Sequence, residues 1–230
     1  MKDLAFSPTS LASGCGYLAA GGQRSQLVVR HLNSAWQGST AVGGSINNAI
    51  SISQHMNDTR ILISNNDETI KIYSLPSLTR VTDITLPTAV NYASVSPDNK
   101  KMIATGDTNQ VFLYEISAAA GYRRIGTFTS SNDAGFNCAW NQSSDKFAVA
   151  CQDGYVCVWD IRSSEKLAKI QSKQVIWSDY IVYTTYPDIF VESTSQGCMQ
   201  ICQVFSQWIR RPPHVQRARF ICESGGCQDL

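Results

Sequence analysis

The sequence has little of what marks a membrane, secreted or nucleic-acid-binding protein. No stretch reaches the roughly 18 apolar residues of a membrane span, and the opening MKDLAFSPTSLASGCGYLAA has no continuous apolar core of a signal peptide. Its 19 lysines and arginines are balanced by 18 aspartates and glutamates, for a net charge of +1. The chain therefore has no overall charge that would attract nucleic acid or an anionic membrane. We expect neither as a partner, and we expect a cytoplasmic or nuclear location.

Residues suited to catalysis or metal binding are also scarce. Eight cysteines in 230 residues are too few for a disulfide scaffold, so we expect reduced thiols. The three histidines lie in no G-x-S-x-G or H-E-x-x-H motif, and we expect His31 and His55 to be polar surface residues. Four late cysteines have C-x3-C and C-x4-C spacings rather than the paired C-x2-C of a zinc site: Cys198, Cys202, Cys222 and Cys227. The sequence thus predicts no enzyme, no metal and no cofactor.

What the sequence does contain is a repeat. Four segments align, and the apolar residues that close them, Leu32, Leu75, Ile116 and Ile161, are 43, 41 and 45 residues apart. The aligned segments are residues 4–32, 49–75, 92–116 and 138–161. A period of about 40–45 residues with several short strands in each unit is typical of the blades of a β-propeller. The hydrophobic content of 43% is enough for a substantial core.

Each unit can be divided into four strands. In the third unit the apolar runs predict strands at Asn91–Val95, Met102–Thr105, Val111–Ile116 and Tyr122–Phe128, separated by turn residues. The second and third strands form a hairpin. In the fourth unit its turn is Asp153-Gly154, which tolerates the positive φ that such a tight turn requires. The third strands are apolar on more than one face, which indicates sheets enclosed between neighbouring sheets. We therefore predict an all-β fold.

These repeats resemble the WD-repeat (WD40) family. The signature dipeptide is Trp159-Asp160, and tyrosines take the place of its tryptophan in units two and three. Turn aspartates stand where the family keeps one. The matching residues are Tyr73, Tyr114, Asp67, Asp107 and Asp153. The resemblance implies a network of that aspartate with a Trp, a Ser or Thr and a His that follows a Gly, but no His follows a Gly here. It therefore implies blades of lower stability. The sequence pattern of these repeats is most similar to that of uncharacterised fungal WD-repeat proteins that carry a domain of unknown function.

The repeat stops near residue 172. We predict that residues 1–172 form a partial propeller, which is incomplete because only four blades are recognisable. We predict that residues 173–230 form a poorly ordered tail without the repeat. Shifting the reading frame of 199–229 by one nucleotide, with permitted codons, yields SVKFSPSG…VVDAR, which is again a blade. Our hypothesis is that 175–197 is a retained intron or a mis-called exon and that the tail is translated out of frame. The arginine-rich stretch 209–220 is then a solvated tail rather than a nucleic-acid site.

For a propeller, the expected function is non-enzymatic scaffolding of protein–protein contacts. Loops leading into the first strands are the default place for partners, and Phe136 or Trp140 could anchor one, although Trp140 is better explained as core. Arg162 completes a Trp-Asp-Ile-Arg box, which resembles that of cullin-type ubiquitin-ligase substrate receptors; local pairing of Arg162 explains it equally well. A propeller enzyme is a third alternative. The candidate partner-binding residues are Asn48, Asn91, Asp133, Phe136, Asp160 and Arg162.

Overall fold

The fold is all-β in the part of the chain that can be described. The computed structural model describes residues 8–22, 25–44, 46–56, 58–118, 121–163, 165–171, 178–183, 189–194 and 199–203. These residues form nineteen strands and no helix. Accordingly, no helix within them could span a membrane.

The strands assemble into antiparallel sheets of consecutive strands. Sheet 1 contains β1 (Pro8–Gly14), β2 (Tyr17–Gly22), β3 (Gln26–His31) and β4 (Gln37–Ala41). Sheet 2 contains β5 (Asn47–His55), β6 (Asp58–Asn65), β7 (Thr69–Leu75) and β8 (Thr79–Thr85). Sheet 3 contains β9 (Val90–Val95), β10 (Lys101–Gly106), β11 (Thr108–Ser117) and β12 (Gly121–Thr129). Sheet 4 contains β13 (Gly135–Trp140), β14 (Lys146–Cys151), β15 (Tyr155–Asp160) and β16 (Lys166–Gln171).

Neighbouring sheets pack face to face, with their first strands side by side. β5 contacts β1 and β9, and β9 in turn contacts β13. Side chains alternate across each sheet, so Ile61 and Ile63 of β6 pack toward sheet 1 while Leu62, between them, packs toward sheet 3. Apolar residues therefore fill both faces of the inner sheets, as the apolar third strands predicted. Four antiparallel four-stranded sheets in this arrangement are consistent with a β-propeller.

A fifth sheet follows sheet 4. It contains β17 (Ser178–Tyr183), β18 (Ile189–Thr194) and β19 (Met199–Gln203), paired in the same order as the first three strands of the other sheets. β17 lies against β13 and β14, on the side of sheet 4 where small residues are buried: Ala139, Ala148, Ala150 and Val158. The domain boundary at residue 172 and the reading-frame hypothesis stay predictions, because residues 172–177 and 204–230 lie outside the described residues.

Candidate functional site

The first strand of every sheet contains the same irregularity. Between Asn47 and Ala49 the pairing of β5 with β6 skips one residue, so that Asn48 is bulged. The same skip occurs at Asn91 in β9 and at Phe136 in β13. It recurs between Pro8 and Ser10 and between Ser178 and Tyr180. A β-bulge redirects a side chain and is over-represented next to functional sites. Three of the six predicted partner-binding residues are therefore bulge residues.

All of these bulges lie at the end of the sheets where the first strands begin. We call this surface the rim and define it by the bulge residues Asn48, Asn91 and Phe136 with Asp107 and Asp133. Asp107 lies in the turn between β10 and β11, and Asp133 precedes β13. The three bulge residues and Asp133 are half-buried, and Asp107 is exposed. A row of such residues, one or more from each of sheets 2 to 4, gives a surface of mixed amide, carboxylate and aromatic chemistry.

The two bulged asparagines connect adjacent sheets. The Asn48 side chain donates a 2.9 Å hydrogen bond to the carbonyl of Val90 in the next first strand. The Asn91 side chain repeats this contact one sheet further on, with a 3.1 Å bond to the carbonyl of Gly135, and it also donates to Asp107 at 3.0 Å. Their side-chain amides thus fix the spacing between adjacent sheets at the rim. Both residues were predicted as partner contacts, and this structural role was not predicted.

The turn aspartates have different partners in different sheets. Asp153 accepts a 2.9 Å bond from the Ser131 hydroxyl and one of 3.3 Å from the backbone N–H of Asn132, so it anchors the loop that enters β13. Asp133 accepts from the N–H of Ala134 at 2.8 Å within that loop. In sheet 4 the turn aspartate is therefore hydrogen-bonded by a serine that lies in the loop entering the first strand. A histidine that follows a glycine does not take this role, because the sequence contains no such pair.

In sheet 2 the turn aspartate is hydrogen-bonded by a buried cation. The Lys71 side chain is only 3% exposed, and its ammonium group donates to the Asp67 carboxylate and, at 2.8 Å, to the Thr69 hydroxyl. These bonds hold the pKa of Asp67 below its usual value, although burial acts in the opposite direction. Nearby, the Asn65 side chain donates to Gly43 at 3.1 Å and to Asn47 at 2.9 Å. Lys71 was missed because it lies in an otherwise apolar strand.

The aromatic residues of the repeat occupy one structural position. Tyr73, Tyr114 and Trp159 each pack toward the preceding sheet and are at most 4% exposed. The Trp159 ring stacks on Phe147 at a centroid distance of 5.1 Å and lies 6.0 Å from Phe128 of sheet 3. These residues hold sheets together and are not on the surface. Trp140 is likewise core, 5% exposed, with its indole N–H bonded to Ser94.

Asp160 and Arg162 lie at the end of the sheets opposite the rim. β15 starts at the rim and runs away from it, so Asp160 at its end is remote from Phe136. Asp160 accepts bonds of 2.8 and 2.5 Å from the Arg162 guanidinium and one of 2.9 Å from its backbone N–H. These bonds lower the pKa of Asp160 to about 2. The six predicted residues therefore form two separate groups, and the local pairing of Arg162 is present.

Two expectations about titratable residues are tested by the structure. His31 is half-buried, with its ring centroid 4.9 Å from that of Tyr17. His55 is only 7% exposed, so the prediction that it is a surface residue is wrong. Cys138, Cys151 and Cys157 are buried, as strand residues of a core. Burial raises the pKa of the Cys138 thiol. No group of three potential metal ligands occurs among the described residues.

Two curated proteins resemble the chain. It is 37% identical over 164 residues to an uncharacterised protein of Schizosaccharomyces pombe, across 70% of this chain and 47% of that protein. It is 25% identical over 124 residues to the pre-rRNA-processing protein IPI3 of Yarrowia lipolytica, across 47% of this chain and 29% of that protein. No family model matches the chain. The chain thus spans less than half the length of either relative.

Proposed function

We propose that the protein is a non-enzymatic WD-repeat scaffold that binds protein partners through the rim. The observation that carries this proposal is the bulge that recurs at one register position of each first strand. It brings side chains from successive sheets to one end of the molecule, where asparagine bridges set their spacing. A surface contributed by several rigid sheets suits binding of an extended or folded protein better than binding of a small substrate.

Two further observations support the assignment to WD-repeat proteins. Tyr73, Tyr114 and Trp159 occupy the same position in successive sheets, as the signature residue of a repeat would. Turn aspartates follow the second strand in sheets 2 to 4.

We further infer a nuclear location and a role within a multiprotein assembly. The support is the similarity to a protein whose name places it in pre-rRNA processing. The uncharacterised relative adds no function, and both relatives are more than twice as long as the part that matches. Binding through the rim would then serve assembly rather than catalysis.

Quantitative mass spectrometry of captured proteins tests the proposal. The full chain is compared with the double variant Asp133→Ala/Phe136→Ala and with Arg162→Ala, which changes the opposite end. We expect specific partners to be retained by Arg162→Ala and depleted about tenfold by the rim variant, the effect of losing a contact of about 1.4 kcal/mol. Thermal melting verifies that each variant is folded. Equal recovery with both variants would contradict the rim, and loss of a cullin adaptor with Arg162→Ala alone would favour the ubiquitin-ligase alternative.

A further inference from the structure

A polar cleft lies between sheets 2 and 3, away from the rim. Its volume is about 410 Å³, and its lining includes His55, Arg60 and Tyr122 together with Val81 and Ile84. His55 ends β5, and Tyr122 is near the start of β12. Both positions are at the end of the sheets opposite the bulges. The cleft is therefore a surface separate from the one proposed above for protein partners.

Arg60 supplies a partly desolvated cation to this cleft. Its side chain is 16% exposed, and its Nη1 donates a long, 3.4 Å hydrogen bond to the Tyr122 hydroxyl. Its Nε is buried and has no hydrogen-bond partner within the described residues. Arg60 also forms an ion pair with Asp58, whose Oδ2 lies 3.5 Å from Nε. A largely desolvated guanidinium with only a long ion pair and one long hydrogen bond is stabilised by a further acceptor.

His55 and Tyr122 add two further hydrogen-bond donors. Their rings stack with centroids 6.3 Å apart and planes 23° apart. Burial, and secondarily the charge of Arg60, lowers the pKa of His55, so its imidazole is neutral at pH 7 and has one N–H. Burial raises the pKa of Tyr122, so its hydroxyl stays protonated. Neither ring donates a hydrogen bond to another described residue.

The two carboxylates beside the cleft already accept hydrogen bonds. Asp58 accepts a 2.7 Å bond from the Ser74 hydroxyl. Both carboxylate oxygens of Asp83 accept from the guanidinium of Arg80. The guanidinium of Arg60 is the charged donor in the lining, which favours an oxyanion as ligand. Because the carboxylates of Asp58 and Asp83 lie near the cleft, a singly charged anion fits better than a doubly charged phosphate.

We propose that this cleft binds a peptide carboxylate, held by Arg60, Tyr122 and His55, with a neighbouring apolar group against Val81. The side chain of Val81 is 41% exposed, so it offers apolar contact at the mouth of the cleft. The carboxylate can come from an acidic side chain or from a chain terminus, since both present the same planar pair of oxygens. A planar pair of oxygens matches the guanidinium fork of Arg60.

NMR titration of the His55 imidazole tests the proposal on the full chain. The probes are N-acetyl-leucine, which has a terminal carboxylate, N-acetyl-glutamate α-amide, which has a side-chain carboxylate, and neutral N-acetyl-leucinamide. The resonance is assigned with His55→Gln. We expect saturable, millimolar binding of a carboxylate probe with a rise in the pKa of His55, because a nearby negative charge favours the imidazolium. The probe that binds more tightly identifies the source of the carboxylate.

Variants separate binding in the cleft from non-specific effects. Arg60→Gln should weaken binding by about tenfold or more, the usual loss for a hydrogen bond to a charged group. Tyr122→Phe retains the stacked ring and should weaken binding less. Arg123→Gln is the matched control, since Arg123 is 62% exposed and pairs with Glu115. Absence of saturation, an equal response to the neutral amide, or unchanged affinity in both Arg60→Gln and Tyr122→Phe would overturn the proposal.

Discussion

Replacement of Trp159 by alanine is the sharpest test of how the sheets are held together. The Trp159 side chain is 1% exposed and lies against Phe147 of its own sheet and Phe128 of sheet 3. Truncating a buried tryptophan to alanine costs about 3–5 kcal/mol, from lost burial and from the cavity that remains. The aromatic contacts add about 0.5–1.5 kcal/mol for each pair. We therefore expect a loss of at least about 3 kcal/mol, a large part of the usual stability of a domain.

Urea denaturation followed by far-UV circular dichroism measures this loss. The matched control is Leu167→Ala, in the outermost strand of the same sheet, where the side chain is 44% exposed. That change should alter the free energy of unfolding by no more than about 0.5 kcal/mol. A loss below about 1 kcal/mol for Trp159→Ala would refute the packing of sheet 4 against sheet 3 through this residue.

Three further predictions concern charged and thiol groups. Lys71→Met should cost about 1–3 kcal/mol in denaturant unfolding, since it removes the cation that pairs with Asp67, whereas Lys71→Met combined with Asp67→Asn should be close to neutral. The low pKa of Asp160, about 2, means that its contribution to stability is complete above about pH 4 and is lost as the pH falls through 2. The difference in melting temperature between the wild type and Asp160→Asn should therefore shrink from pH 6 to pH 3. Iodoacetamide should modify exposed Cys15 in the native protein but not buried Cys138, as peptide mass spectrometry can show.

Strand positions followed from the sequence because apolar runs and turn residues alternate cleanly. In sheet 3 the predicted Asn91–Val95 starts one residue late and ends at the observed residue, and the predicted Tyr122–Phe128 is one residue short at each end. The third strand is longer than predicted: β11 runs from Thr108 to Ser117. The extra residues are polar and continue the pairing with β12, for example Gln110 with Thr129. Backbone pairing of this kind leaves no apolar signal in the sequence.

The site was only partly predictable, for a different reason. Asn48, Asn91 and Phe136 were named from their place before or within first strands, but a bulge depends on how many residues the partner strand presents. The cleft depends on contact between His55 and Tyr122, which are far apart in the sequence. One feature of the repeat alignment indicated that Lys71 is buried. Its position corresponds to those of Phe112 and Cys157, and both of these residues are buried.

Site-specific photo-crosslinking tests the central claim most directly. A photoreactive phenylalanine analogue is placed at position 136 on the rim and, as the control, at position 167 on the outermost strand of the same sheet. The account predicts that position 136 crosslinks to a defined protein partner in cells while position 167 does not. Crosslinking of that partner at 167 but not at 136 would contradict binding through the rim.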